Sequence, residues 1–281
     1  MTEHSDFHDC IIVRGGGDLA TGTIHRLASA GFPVLVLETQ APAAIRRQVS
    51  FCEAVYEGKV TIESQTAIFI HDLGEMKTVL KQGHIPVIVD PEGACIETLQ
   101  PFVVVDAILA KENLGTTINM APLTIALGPG FIAGVDVHAV IETSRGHNLG
   151  RIITNGSAKP NTGVPGDIGG YTSERVIHAS TKGVIHNICH IGDLVEAAQD
   201  IAYIETSDSR EYVKATISGI LRGLIREGYE VTEGFKIADI DPRISELDNC
   251  FTISDKSRCI AGSVLELVTH SYLNKNSSDS V

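Results

Sequence analysis

Six side chains with chemistry to offer fall between Asp136 and Arg151. Along VDVHAVIET, residues 135–143, alternation predicts a strand with Asp136, His138 and Glu142 on one face. Val135, Val137, Ala139 and Ile141 occupy the other. The turn SRGHN then supplies Arg145 and His147, and Arg151 follows on the return strand. Histidine beside glutamate suits proton transfer, so His138 and Glu142 are the candidate catalytic pair. Arg145, His147 and Arg151 suit recognition of a phosphorylated ligand. A hairpin with one wet face produces the same alternation without any site. No HxH or HxxxH spacing on this hairpin supports a metal, and none is assigned.

A second candidate site is the loop of Gly15, Gly16 and Gly17. Gly15-x-Gly17-x-x-Ala20 fits the dinucleotide pattern GxGxxA, and Glu38 lies about where a ribose-binding carboxylate would be. A P-loop fails, because Thr23 follows Gly22 directly and the lysine is missing. Backbone N–H groups at a helix start attract an anion, while Asp18 in the loop opposes one. The bland reading is a tight turn joining strand to helix. Arg46, Arg47, Asp72 and Asp106 also lie near predicted loops or strand ends, Asp106 inside the apolar run FVVVDAILA.

The elements around the loop alternate. A strand over 11–13 precedes a helix with Leu19, Ile24 and Leu27 at helical spacing, and Val34–Leu37 forms the next strand. The strands are continuously apolar, as in a parallel sheet covered on both faces. EMKTVLKQG, IPVIVD and FVVVDAILA continue the pattern. The expectation is a Rossmann-like, doubly wound α/β domain over 1–128, then a β-rich domain over 129–242, then 243–281 as a helix with a disordered tail. That helix is capped by Ser254 or Asp255 and carries Ile260, Val264, Leu267 and Val268 as its apolar stripe. The polar loop NGSAKPNTGVPGDIGG lies within the β-rich stretch.

Residues 182–205 and 218–241 repeat at an offset of 36. Gly183 meets Gly219, Gly192 meets Gly228, Val195 meets Val231, and both copies end in an Ile-Ala-x-Ile strand. Two such copies predict a small barrel of pseudo-two-fold halves over 179–242, the hammerhead of biotinyl and lipoyl carriers. Asp208 stands where a carrier keeps its modified lysine, and Lys214 comes six residues later, so neither modification is expected. His186 and His190 align with Arg222 and Arg226, which reads as a solvated cationic face.

The formal net charge of −13 argues against nucleic acid or anionic membrane as partner. Six scattered cysteines form no CxxC and read as reduced, mostly buried thiols; a redox or sulfur-relay role for one is the minor reading. With no leader-like or membrane-spanning segment, the chain reads as soluble and cytoplasmic.

The order VRGGGDLATGTIHRL, GPGFIAGVDVHAVIETSRGHNLGR, NTGVPGDIGGYTSERV and GFKIADIDPR closely resembles the selenium-dependent molybdenum hydroxylase accessory protein family, also called the YqeB family. The N-terminal half also looks like the Rossmann part of the accessory proteins that mature xanthine dehydrogenase. The resemblance covers residues 10 to about 270. It implies a helper in maturing molybdenum hydroxylases that binds or handles the anionic pterin-type molybdenum cofactor, with a client hydroxylase as partner. It carries no settled catalytic residues across. The alternative from the glycine loop is an NAD(P)-dependent oxidoreductase using Gly15, Gly17 and Glu38.

Overall fold

In the computed structural model, which describes residues 9–161, 163 and 166–278, the chain divides into two compact units. The first comprises residues up to Pro42, Ser50–Asn161 and those from Ile253 on. The second comprises Ala43–Val49 and Thr162–Thr252.

Among the described residues the first unit holds one nine-stranded sheet. Its strands are β1 (Ile11–Arg14), β2 (Val34–Glu38), β3 (Lys59–Ile62), β4 (Gln65–Phe69), β5 (Ile85–Val89), β6 (Val103–Asp106), β7 (Leu123–Leu127), β8 (Ala139–Ile141) and β9 (Ile152–Ile153). They lie in the order β3-β4-β5-β2-β1-β6-β7-β8-β9. All neighbours pair in parallel except at the two edges, β3 with β4 and β8 with β9. The helices are α1 (Asp18–Ser29), α2 (Ala54–Glu57), α3 (Met76–Lys81), α4 (Cys95–Leu99) and α5 (Asp255–Ser278).

The continuous apolar runs are explained by two covered faces. Ile11, Val13, Val36, Val103 and Val105 face α1 and α5, where Ile24, Leu27, Ile260, Val264 and Val268 complete one core. Ile12, Leu35, Leu37 and Val104 face α3 and α4, against Met76, Val79, Ile96 and Leu99. No helix follows β7. Phe131, Ala133, Val137 and Ala158 from irregular chain cover Ala126 and Val140 instead.

Three boundaries differ from those expected. Residues 129–161 belong to the first unit, because β8 extends its parallel sheet beside β7. So does α5, whose apolar stripe fills the sheet's core, and which runs to Ser278 through most of the stretch expected to be disordered. Residues 279–281, like 162, 164 and 165 of the polar loop, lie outside the described residues.

The second unit contains β10 (Val176–His178), β11 (Gly183–Asn187), β12 (Leu194–Val195), β13 (Asp200–Glu205), β14 (Arg210–Lys214), β15 (Gly219–Leu224), β16 (Glu230–Val231) and β17 (Lys236–Asp241). They form two antiparallel four-stranded sheets, β10-β17-β15-β12 and β14-β13-β11-β16. The offset of 36 maps each sheet onto the other, and each sheet mixes strands from both copies. The shared core includes Val195, Val231, Ile201, Ile237, Ile204 and Ile240. Repetition of the opening glycine has one cause: a Cβ on Gly183 would collide with the Glu205 carbonyl, and one on Gly219 with the Asp241 carbonyl. Gly192 and Gly228 both adopt positive φ, +101° and +75°. Among the described residues no helix is long and apolar enough to cross a membrane.

Candidate functional site

The carboxyl ends of the parallel strands in the first unit gather the candidate residues. β1 ends at Arg14 and turns through Gly15–Gly17 into α1. Gly15 has φ +92°, and a Cβ there would lie 3.0 Å from the Ala107 carbonyl after β6. A Cβ on Gly16 would lie 2.9 Å from the Cys52 nitrogen, which donates to the Gly16 carbonyl at 2.9 Å. Two of the three glycines are therefore required by neighbouring backbone. Only Gly17, where no side chain caps the helix, faces open space.

Glu38, at the end of β2, is turned into this loop. Its Oε1 accepts from Gly16 N at 2.6 Å and its Oε2 from Thr39 N at 2.9 Å. Burial raises its pKa, partly offset by those two amides. A carboxylate of the protein thus holds the Gly16 donor, and the loop's outward donors begin at Gly17. Beside it Asp106 ends β6, buried, accepting from the Thr116 hydroxyl at 2.6 Å and from Ile108 N at 3.2 Å. Arg14 Nη1 bonds Thr116 at 2.5 Å and stands 3.9 Å from Asp106, while its Nη2 bonds the Pro91 carbonyl.

The β8–β9 connection lies at the same end of the sheet, but its residues are not assembled as the alternation predicts. The strand is only Ala139–Ile141. Asp136 Oδ2 caps a turn by accepting from Ile132 N at 2.7 Å. His138 and Glu142 do not form a pair: parallel pairing with β7 holds them at opposite ends of β8. His138 Nδ1 accepts from Thr124 N at 3.0 Å at the amino end. Glu142 is buried at the carboxyl end, with Oε1 taken by Ser144 N (2.7 Å) and Oε2 by Lys159 N (2.8 Å). It is a loop-shaping carboxylate. His147 and Arg151 are exposed in the turn. Arg145 forms a bidentate pair with Asp255 at 2.9 and 2.9 Å, at the start of α5.

That pairing brings in residues the motif reading missed. Ser257 donates to the Leu19 carbonyl at 2.8 Å and accepts from Gly22 N at 3.2 Å, fastening the first turn of α5 to α1. Between Asp255 and Ser257 stands Lys256. Burial and the Arg145 guanidinium lower its pKa, opposed by the charges of Asp18, Glu142 and Asp255. Among the described residues no hydrogen bond or ion pair engages Lys256. Charges from the start of α1 (Asp18) and from the 142–151 turn (Glu142, Arg145) therefore both act on this one ammonium group. No local pattern in the sequence signals this, because a lysine in a helix's first turn reads as surface.

Elsewhere the expected positions are structural. Asp72 caps the turn before α3. Arg46 and Arg47 belong to the second unit, where Arg46 Nη2 donates to the Asn249 carbonyl and Arg47 Nε to that of Leu224, each at 2.8 Å. Burial pushes the Cys10 thiol up to about 12 and raises Cys52, Cys95, Cys189 and Cys250, while Cys259 is exposed. No group of three or more His, Cys, Asp or Glu among the described residues is placed to hold a metal. The face expected to be solvated in both repeats is solvated in one. His190 is exposed, and His186 pairs with Glu227 at 2.7 Å. Arg222, equivalent to His186, is instead enclosed with the buried Asp239 and Asp241. Arg175 and Arg243 join it, at 2.9 Å from Asp239 and 2.7 Å from Asp241.

Residues 174–269 match the family described as RND related, barrel-sandwich hybrid domain, a match that covers the repeat and runs into α5. Over 263 residues, 94% of this chain, 48% of residues are identical to YqeB of Escherichia coli (strain K12), itself uncharacterized. The chain is similar to YqeB over that stretch and spans 48% of YqeB's own length. Solved structures give only faint likeness. An aspartoacylase family protein from Mesorhizobium loti matches at a TM-score of 0.26 and 12% identity, over 84% of this chain and 85% of that one. The ectoine utilization protein EutE of Ruegeria pomeroyi matches at 0.27 and 9%, over 83% and 85%. Scores this low carry no argument about the fold.

Proposed function

We propose that the protein is an accessory protein in the maturation of molybdenum hydroxylases, selenium-dependent ones included, and that its first unit handles the anionic pterin-type molybdenum cofactor as cargo. The reading rests on the family resemblance and on the rim of the parallel sheet. With the β3–β4 hairpin set aside as an edge addition, β5-β2-β1-β6-β7-β8 has the strand order 3-2-1-4-5-6. That order supports a Rossmann-type sheet, whose ligands sit beyond the carboxyl ends of the strands where the order reverses. Gly15–Gly17 and Asp106 flank that crevice. Buried free thiols and the acidic chain fit a cytoplasmic setting with a client hydroxylase as partner.

The observation that carries the reading is Lys256, an ammonium within electrostatic reach of Asp18 and Glu142 that no described residue engages. A phosphate at Gly17 would meet this group, the uncapped first turn of α1 and the Arg145 side chain. The residues thus fit one phosphate-sized anion. They fit a ribose less well, since both oxygens of Glu38 are already bonded to backbone amides.

Titrating the purified chain with a pterin monophosphate, followed by pterin fluorescence, tests this. Saturation is expected, and Lys256→Met should weaken it about tenfold, the loss of one charge-assisted contact. Affinity should fall as pH rises through the lowered Lys256 pKa, earlier than for an ordinary lysine at ~10.4. Absence of saturable binding overturns the proposal. The strand order also favours a second reading, an NAD(P)-dependent oxidoreductase. Saturable binding of NADH or NADPH that is lost in Glu38→Ala would select it.

A further inference from the structure

The pseudo-two-fold of the second unit gives its two sheets equivalent outer faces, and only one is covered. On the β10-β17-β15-β12 sheet, Leu224 is 0% exposed, Asp241 1% and Val176 7%. The equivalent positions on the other sheet are Ile188, 46% exposed, Glu205, an exposed residue, and Tyr212, 55% exposed. A segment of the same unit covers the first face. Ile45 accepts from Leu224 N at 2.8 Å, Arg47 Nε donates back to the Leu224 carbonyl at 2.8 Å, and Arg46 reaches the turn after β17. The covering segment is short and basic and ends in a 3-10 turn over Arg47–Val49. The face beneath it carries Asp239 and Asp241, which are paired with Arg175, Arg222 and Arg243.

The uncovered face repeats that chemistry without a cover. Direct cross-strand pairing lines up His186, Tyr203 and Tyr212 in one row, with His186 stacked on Tyr203 at 4.9 Å between ring centres. The next row sets Glu230 and Glu205 on either side of Val184, and Arg210 lies opposite Glu205. Glu227 flanks His186. Arg210 of the face itself lies over the Tyr203 ring at 5.0 Å and 3.5 Å from Glu205. The three carboxylates outnumber it, and with the exposed Tyr212 ring they favour a further arginine or lysine, through charge and cation–π contact. A second copy of this chain fits poorly. An isologous pairing would set these carboxylates against one another in a chain already carrying −13.

We infer that the outer face of the β14-β13-β11-β16 sheet docks a short, arginine-bearing segment of a partner protein, in the way residues 43–49 cover the equivalent face. This concerns the second unit and stands whatever the first unit binds.

A fluorescein-labelled peptide copying residues 43–49, AAIRRQV, is the probe, titrated by anisotropy into the full chain. Saturable binding is expected, weakened about tenfold or more by Tyr212→Ser and independently by Glu205→Lys. A control charge change on the first unit, Glu97→Lys, should leave it unaltered, and a peptide with both arginines replaced by glutamate should not bind. Circular dichroism melts establish that each variant is folded. Three results overturn the inference: no saturation at millimolar peptide, binding indifferent to both face substitutions, or concentration-dependent dimerisation abolished by Tyr212→Ser. The last would assign the face to a second copy.

Discussion

Glu38 and Asp106 in the first unit and Asp239 and Asp241 in the second are all buried, yet their surroundings differ in kind. The first pair is held mainly by backbone amides and one hydroxyl, with Arg14 no nearer than 3.9 Å to Asp106. Burial dominates and raises both pKa values. Asp241 is equally enclosed, but the bonds of Arg243 and the charges of Arg222 and Arg243 outweigh burial and lower it. One unit therefore keeps carboxylates whose pKa values burial raises. The other locks its carboxylates into a scaffold. Carboxylates with raised pKa values at a sheet's rim are candidates for ligand chemistry; saturated ion clusters mark structure.

The largest effect should come from the scaffold. Asp239 serves Arg175 and Arg222 together, each at 2.9 Å. Asp239→Ala leaves the buried Arg175 guanidinium without a carboxylate and Arg222 with Asp241 alone, and should cost about 3–5 kcal/mol. Hydrogen exchange of β10, β15 and β17 would read that loss directly. Asp106→Asn, which keeps an acceptor for Thr116, should cost about 1–2 kcal/mol, read in β1 and β6. Similar costs at both positions would erase the distinction between the two units.

A smaller effect is expected where α5 crosses α1. A Cβ on Gly22 would strike Ser257, the residue that bonds the Leu19 carbonyl. Gly22→Ala should destabilise the first unit by about 1–3 kcal/mol through overpacking, despite a helix-propensity gain of about 1 kcal/mol. It should also weaken pterin-phosphate binding, because Lys256 is one residue from the contact. A more stable variant would mean that the crossing does not fix α5.

Much of this architecture is legible in the sequence, for reasons that differ by region. The duplicated barrel shows itself because each copy must solve the same steric problem at Gly183 and Gly219, so the same residue type recurs 36 positions on. The parallel sheet shows itself through runs such as Val103–Val105, apolar because both faces are covered. The site is legible only in part. Alternation through 135–143 suggests one long strand, but Asp136 closes a turn and places His138 at the wrong end of β8. Position in the repeat equates Arg222 with His186 and says nothing of burial, which segment 43–49 and the turn after β17 decide. Lys256 acquires its surroundings only through the packing of α5 across the sheet, a contact between residues more than two hundred positions apart.

The subtlest difference between the units should appear on titration. For Asp106 the folded pKa is raised, so the protonated form is favoured by folding. Stability is then present below the unfolded value of ~3.9 and lost as pH rises through the folded pKa. The cost of Asp106→Asn should therefore be greatest in acid and shrink toward neutrality. For Asp241 the folded pKa is lowered, so its contribution is present above ~3.9 and lost as pH falls through the folded value. The cost of Asp241→Asn should be full at neutrality and shrink in acid. Each trend is worth about 1.4 kcal/mol per unit of displacement, measured by exchange in the unit concerned across pH 3–7. Parallel trends would mean that the arginines around Asp241 do not overcome its burial, and the two carboxylate environments would then be one.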